Sequence, residues 1–281
     1  MPELPEVETI KRGLEKLVLN KKIVQVKIFE DKEFIGESTS ILNTKIIDLR
    51  RKGKALIFDL DNKNSFLVHL RMTGQLIFCG DEKFGGGHPN DNFVDKLPNK
   101  QTRIQIIFND KSNLFFNDQR KFGFLKVLRT VDVERDSFIK KLGKEPWEIT
   151  PKELFDKLKF KNISVKAAIL DQTIIAGLGN IYADESLFFA SVRPDRKCSE
   201  LSLKDVEKIV EGAKKTMEDS LNAGGSTIRN YVKADGTKGN YLDLFAKVYG
   251  REGKKCEKCG SEIKKIRVAG RGTHFCERCQ K

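Results

Sequence analysis

Two groups of residues could carry chemistry, and they stand at opposite ends of the sequence. At the start, Pro2 precedes Glu3, and Glu6 follows three residues on. An initiator methionine is normally removed before a small residue such as proline, which would make Pro2 the first residue. Its secondary amine is then a nucleophile near neutral pH, because α-amino groups have pKa values of about 8. Attack on an aldehyde-like carbon gives an iminium, a cationic electron sink. Carboxylates so close to the amine can shuttle protons and stabilise that cation. The alternative for these residues alone is an ordinary Pro-Glu helix start.

At the other end stand Cys256, Cys259, Cys276 and Cys279, two CxxC pairs with 16 residues between them. That spacing fits the zinc pattern with ~15–20 intervening residues. Four thiolates complete a tetrahedral shell, so one structural Zn2+ is expected. The segment between the pairs reads as a β-hairpin turning at 269–272. Arg271 sits at its tip, as a solvated charge or a phosphate contact. This terminal module is basic, with ten Lys/Arg against four Asp/Glu. It is too short to bury a core of its own and needs the metal to fold. The alternative, a redox dithiol pair, lacks a thioredoxin-like βαβ setting. His274 is a further ligand by type, but the four cysteines suffice. Cys79 and Cys198 read as ordinary buried or half-buried thiols.

Helices and strands must position these groups. Val7, Ile10, Leu14, Leu17 and Val18 recur at spacings of three and four, which predicts an amphipathic helix over 5–18. From 22 to 131 short β-rich runs dominate, at 23–29, 45–49, 55–60, 65–70, 75–79, 103–108, 113–116 and 123–128. They predict a β-sandwich or barrel. The stretch 80–100, rich in Gly, Pro, Asn and Asp, is expected to be a long, mobile loop. The second half reads as helical. Thr150, Pro151 and Glu153 form a helix start, and further helices are expected at 163–170, 179–189 and 203–221. A Gly/Ser/Lys-rich loop is expected at 223–241.

The chain has 281 residues, 39% of them hydrophobic and 33% charged, with a net charge of +13. Such a surplus suits a polyanion, nucleic acid first and anionic membrane second. No apolar run approaches the ~18–20 residues that span a bilayer. The acidic, amphipathic N-terminus is not a secretory signal. Six cysteines are too sparse for a disulfide scaffold, so a reducing, cytoplasmic compartment is expected.

The opening MPELPEVETIKRGL resembles that of the bacterial formamidopyrimidine-DNA glycosylases, bifunctional enzymes that remove oxidised purines. KGKALIFDL, HLRMTG, NDQRKFG, LDQTIIAGLGNIYADESLF, the 223–241 segment and the cysteine module recur in family order. The resemblance therefore covers the whole chain. It implies an α+β multidomain fold: an N-terminal β-sandwich with an N-terminal helix, a helical helix–two-turn–helix domain and a four-cysteine zinc finger. The expected boundaries are 1–131, 132–248 and 249–281. The implied function is a DNA glycosylase and AP lyase of base excision repair. It excises formamidopyrimidines and 8-oxoguanine through a Schiff base, then cleaves the strand by β,δ-elimination. The implied partner is double-stranded DNA holding an oxidised purine or abasic site, and the expected state is a monomer.

The resemblance also implies roles. Pro2 is the Schiff-base nucleophile at C1′, Glu3 the acid that helps open the sugar, and Glu6 a supporting carboxylate. Lys54 and Arg271 are assigned to the elimination chemistry, with Arg271 also gripping phosphates. Met72, Arg120 and Phe122 match the trio that fills the hole left by the extruded nucleotide. The trio favours lesions opposite cytosine. Core packing is the alternative for Met72 and Phe122. Gly177, Gly179 and Asn180 present backbone N–H groups to a phosphate, and Lys166 matches a phosphate-contacting lysine. Asn162 is a further DNA-facing position, with helix capping as its alternative. The 223–241 loop would close over the extruded purine.

One departure stands out. Where the family often has His-Asp-His, this chain reads Gln101-Thr102-Arg103. Gln101 is the expected neutral replacement for a histidine phosphate contact. Two other readings compete: a non-catalytic zinc-bearing DNA-binding protein, and the pyrimidine-preferring sister enzyme, which Leu4, Met72 and Phe122 disfavour.

Overall fold

A computed structural model describes residues 1–88, 96–224 and 241–281. The chain divides into two compact units. The first holds Met1–Lys140 and begins with α1 (Leu4–Val18). Its buried residues Leu4, Val7, Ile10, Leu14 and Val18 line one face, as their spacing predicts. Fully burying each such side chain is worth roughly 1.5–3 kcal/mol. Pro5 occupies the first turn, and Glu6 closes a capping box with Glu3.

Among the described residues ten strands follow: β1 (Ile23–Ile28), β2 (Phe34–Ile35), β3 (Ile46–Lys52), β4 (Ala55–Leu60), β5 (Asn64–His69), β6 (Gly74–Cys79), β7 (Lys83–Gly87), β8 (Thr102–Phe108), β9 (Asn113–Asp118) and β10 (Phe124–Arg129). They make two five-stranded sheets, ordered β1-β8-β9-β6-β7 and β2-β10-β5-β4-β3. Every pairing is antiparallel except β10 with β2. Phe66, Val68 and Leu125 of one sheet meet Leu76, Ile104 and Phe116 of the other in a single core. This is the expected sandwich.

The expected 80–100 loop is corrected over Lys83–Gly87, which is strand β7. Its three consecutive glycines have poor strand propensity, which hid it. Gly86 is there because α1 lies directly on the strand, and Gly87 because it has a positive φ of 130° and abuts the Gly74 carbonyl of β6. A Cβ on Gly86 would fall 2.3 Å from Ile10 Cγ1, and one on Gly13 would fall 1.9 Å from Phe84 Cζ. The 89–95 part of that expected loop lies outside the described residues.

The second unit holds Lys141–Ala223 and Tyr241–Lys281. Thr150 caps α2 (Pro151–Leu158) and bonds reciprocally with Glu153. Ser164 caps α3 (Val165–Leu170), and Ser202 caps α5 (Leu203–Asn222). Between α3 and α4 (Asn180–Ala190) the chain makes a turn at 172–174 and a bend at 175–177. Gln172 braces them, donating to Leu170 O and Leu178 O and accepting from Gly177 N–H. A short α6 (Tyr241–Leu244) leads to the hairpin β11 (Lys264–Val268) and β12 (Arg271–Phe275). Ala269 (φ 51°) and Gly270 (φ 71°) form its tight turn, the left-handed pair that a two-residue hairpin needs. Among the described residues no helix is long and apolar enough to cross a membrane.

Candidate functional site

Pro2 is buried at the amino end of α1. Glu3 is 3% exposed, and its N–H donates to Glu6 Oε2 at 2.8 Å. The three residues singled out at the N-terminus are thus gathered on one helix end. Glu6 holds the backbone of Glu3 in place, and the positive end of the helix dipole favours both carboxylates. Lys54 follows Gly53 in the turn between β3 and β4 and is 5% exposed. It is not the solvated charge that such a position usually holds.

His69, at the end of β5, escaped the sequence reading. Its Nδ1 accepts the Arg71 N–H at 3.0 Å. Burial, then the charges of Arg71 and Lys54, push its pKa down to about 3. It is a neutral group placed within the field of Lys54.

Asp118, the last residue of β9, is a second such residue. One of its carboxylate oxygens accepts the Thr73 hydroxyl and the Arg120 N–H, the latter at 3.1 Å. The other accepts the N–H groups of Phe122 at 2.9 Å and Gly123 at 2.7 Å. This one buried side chain ties the turn carrying Met72 to the turn carrying Arg120 and Phe122. The trio is therefore brought together by a residue that touches DNA in none of the expectations. Met72 is half-buried and Arg120 is exposed. Phe122 is 55% exposed, which removes core packing as its role. The Arg120 guanidinium lies 4.8 Å from the Phe122 ring centroid.

Gln101 lies beside this brace. Its carbonyl accepts the Asp118 N–H at 2.9 Å, and its own N–H donates to Asn99 Oδ1. Arg103 points inward, with Nε donating to Asp118 O at 2.7 Å. Its guanidinium lies 3.4 Å from Glu33. Burial and the Asp118 charge push the Glu33 pKa up to about 8 against the pull of Arg103. Burial wins because Arg103 already donates to two backbone carbonyls.

In the second unit, Lys166 is expected at the DNA surface, but it is fully buried. Its ammonium lies 2.6 Å from Asp184 Oδ1 and donates to Thr273 Oγ1 at 2.7 Å. It also reaches Gly272 O at 3.3 Å, and Asn180 Nδ2 donates to that same carbonyl at 3.0 Å. Lys166 and Asn180 thus hold the base of the hairpin tip, where Arg271 is exposed. A lysine on a short helix looks solvated in sequence; its acid partner lies on the next helix. Asn162 is exposed and does not cap α3, a role that Ser164 fills.

Glu185, also missed, accepts the N–H groups of Lys247, Val248 and Tyr249 and fastens α4 to the approach of the hairpin. Burial pushes its pKa up. The sulfurs of Cys256, Cys259, Cys276 and Cys279 all lie within 4.8 Å of one another. Such a compact set of four thiols, backed by Phe188, Val248 and Ile263, fits one tetrahedral zinc. His274 stands apart from the cluster, its N–H on Asp184 and its Nδ1 3.5 Å from the same carboxylate. Cys79 and Cys198 are half-buried and buried thiols, as expected. The expected lid at 223–241 falls outside the described residues from 225 to 240.

Three family models match this chain. The formamidopyrimidine-DNA glycosylase N-terminal domain matches residues 1–125, and the H2TH domain of the same enzymes matches 142–232. The zinc finger found in FPG and IleRS matches 253–281. A formamidopyrimidine-DNA glycosylase of Listeria monocytogenes is 40% identical over 288 residues, covering 100% of both chains. One from Desulfitobacterium hafniense is 36% identical over 290 residues with the same coverage. Among solved structures, a Lactococcus lactis FPG mutant bound to Fapy-dG-containing DNA aligns with a TM-score of 0.87 and 32% identity, covering 100% of each chain. The Lactococcus lactis protein with abasic-site DNA aligns at 0.86 and 31%, again over 100% of each. The chain belongs to the formamidopyrimidine-DNA glycosylase family.

Proposed function

We propose that this protein is a bifunctional DNA glycosylase and AP lyase of base excision repair, acting on oxidised purines in double-stranded DNA. The observation that carries this reading is the Pro2–Glu3 pair at the amino end of α1, on the same unit as the Asp118-braced Met72, Arg120 and Phe122. Relatives that share the whole chain length were solved with Fapy-dG and abasic-site DNA. In this reading residues 1–131 do the chemistry, while 132–248 and 249–281 hold the duplex.

The lesion is extruded at a cost of a few kcal/mol. Phe122 and Met72 enter the gap, and Arg120 hydrogen-bonds the orphaned base. The Pro2 nitrogen attacks C1′ as the glycosidic bond breaks. Glu3 gives a proton to the sugar oxygen, the ring opens and the iminium forms. Lys54 and Arg271 serve the later eliminations, and Arg271 grips phosphate. Lys166 acts from inside by holding the Gly272 carbonyl, and Asn180 presents the start of α4 to a phosphate. Zinc, when bound by the four thiolates, holds the finger in its fold.

The test is incision of duplexes holding 8-oxoguanine opposite each base, beside thymine glycol, with borohydride trapping. The expected result is a covalent complex and strongest incision of 8-oxoguanine opposite cytosine. Binding without incision or trapping would leave a DNA-binding protein. Preference for thymine glycol would point to the pyrimidine-specific chemistry of the sister enzyme.

A further inference from the structure

Helix α1 and strand β7 run in opposite directions against each other. Gly13 faces Phe84, and Gly86 faces Ile10. Moving forward along β7 is moving back along α1 toward the start of the chain. A strand rises about 3.3 Å per residue and a helix about 1.5 Å. Two strand residues therefore span roughly one helical turn. His88 is two residues past Gly86, which brings it to the end of α1 that carries Glu6, Glu3 and Pro2.

His88, one residue past β7, stays hydrogen-bonded to β6. Its N–H donates to Gly74 O at 3.1 Å, and its carbonyl accepts Gln75 Nε2 at 2.6 Å. Its Nδ1 is buried and has no hydrogen-bond partner among the described residues. Burial and the positive charge of the amino terminus push its pKa down, while Asp118 of β9 pulls it the other way. The carboxylates of Glu3 and Glu6 stand at the same helix end. The result is a backbone-anchored imidazole at the end of α1 that carries Pro2, with a basic atom unengaged among the described residues. The amine must lose a proton during capture, and Glu3 is committed to donating its own.

We propose that His88 accepts the proton of the N-terminal amine during covalent capture. The proposal rests on Pro2 being the nucleophile. When the Pro2 nitrogen bonds to C1′, the C1′–base bond breaks; its electron pair leaves with the base, which takes a proton from water. The nitrogen then carries a positive charge and its last hydrogen. His88 takes that hydrogen, and the N–H electron pair stays on nitrogen. That pair forms the C1′=N bond as C1′–O4′ breaks, and O4′ takes the proton of Glu3. At a preformed abasic site the same N–H proton is lost as the aldehyde oxygen leaves as water.

The experiment measures borohydride trapping on DNA with a preformed abasic site, from about pH 5.5 to about pH 9, the range that spans histidine and amine titration. It uses mature protein shown by mass to begin at Pro2, as wild type, His88→Ala and His88→Gln. His88→Gln keeps a polar side chain of similar reach, and melting curves verify that both variants fold. Both variants are expected to trap at least ~10-fold more slowly near neutral pH, the low end of general-base effects. The gap should narrow as the pH rises, and added imidazole should restore trapping by His88→Ala. Wild-type rates and pH profile in both variants would overturn the proposal while leaving Pro2 in place. A pH-independent loss that imidazole does not restore would overturn it in favour of a structural role. Absence of trapping by the wild type at every pH would remove the Pro2 reading itself, and this one with it.

Discussion

Lys166 Nζ lies 2.6 Å from Asp184 Oδ1, and neither side chain has exposed surface. The pair joins α3 to α4, and through Thr273 and Gly272 it joins both to the hairpin that carries Arg271. Asp184 also accepts the His274 N–H. Two buried charges are tolerable here because each has further partners. Their geometry transmits the helical fold to the finger.

Lys166→Met should therefore destabilise the protein by about 3–5 kcal/mol, because it leaves the Asp184 carboxylate buried without its cation. Adding Asp184→Asn should recover much of that loss. Denaturant unfolding of the two variants measures it. Equal stability of Lys166→Met and wild type would contradict the structural weight given to the pair.

Pro2→Gly replaces the secondary amine by a primary one and changes its placement, so trapping should fall sharply. A residue added before Pro2 turns the amine into an amide and should abolish capture. Trapping gels against damaged duplex read both. Full cleavage by protein shown by mass to retain Met1 would refute the role of Pro2.

Glu3→Gln should bind lesion DNA with little loss while excision falls by about 10²–10⁴-fold, the usual weight of a proton transfer. Its N–H contact with Glu6 involves the backbone and survives the change. Separate binding and single-turnover measurements decide the matter. A parallel loss in both would show that Glu3 acts through the fold of the helix end instead.

Cys256→Ser, Cys279→Ser or chelation should remove zinc and weaken DNA binding together. One missing thiolate opens the shell, and among the described residues little besides Phe188, Val248 and Ile263 backs the cysteines with apolar surface. Metal analysis beside a DNA titration tests this. A metal-free finger with unchanged affinity would sink it.

Glu33 gives the stability a pH dependence. Its pKa is raised from its ordinary value of about 4.5 up to about 8. For a raised carboxyl, the folded state holds its proton more tightly than the unfolded chain. That contribution is complete below about pH 4.5 and is lost as the pH rises through about 8. Glu33→Gln cannot ionise, so its melting temperature should gain on the wild type between those values. A constant difference across that range would mean that Arg103 holds Glu33 ionised throughout.

The sequence by itself determined what neighbouring residues decide. The apolar spacing from Val7 to Val18 made α1, and Thr150, Pro151 and Glu153 started α2. The CxxC spacing announced the finger, and the ordered motifs announced the family. These signals are local, because caps, periodicity and ligand spacing act within a few residues. Tertiary structure decided the rest. Gly86 lies in a strand because α1 needs bare backbone to lie against, and Gly87 because its positive φ and the Gly74 carbonyl of β6 leave no room for a Cβ. Lys166 turns inward because Asp184 and Thr273 arrive from other elements. Asp118 becomes the brace of the Met72 and Phe122 turns only when β6 and β9 pair at Gly74. His88 is carried toward the amino end of α1 by the antiparallel course of strand and helix. In each case the deciding partner is distant in sequence, so burial and charge pairing emerge only when the chain has closed on itself.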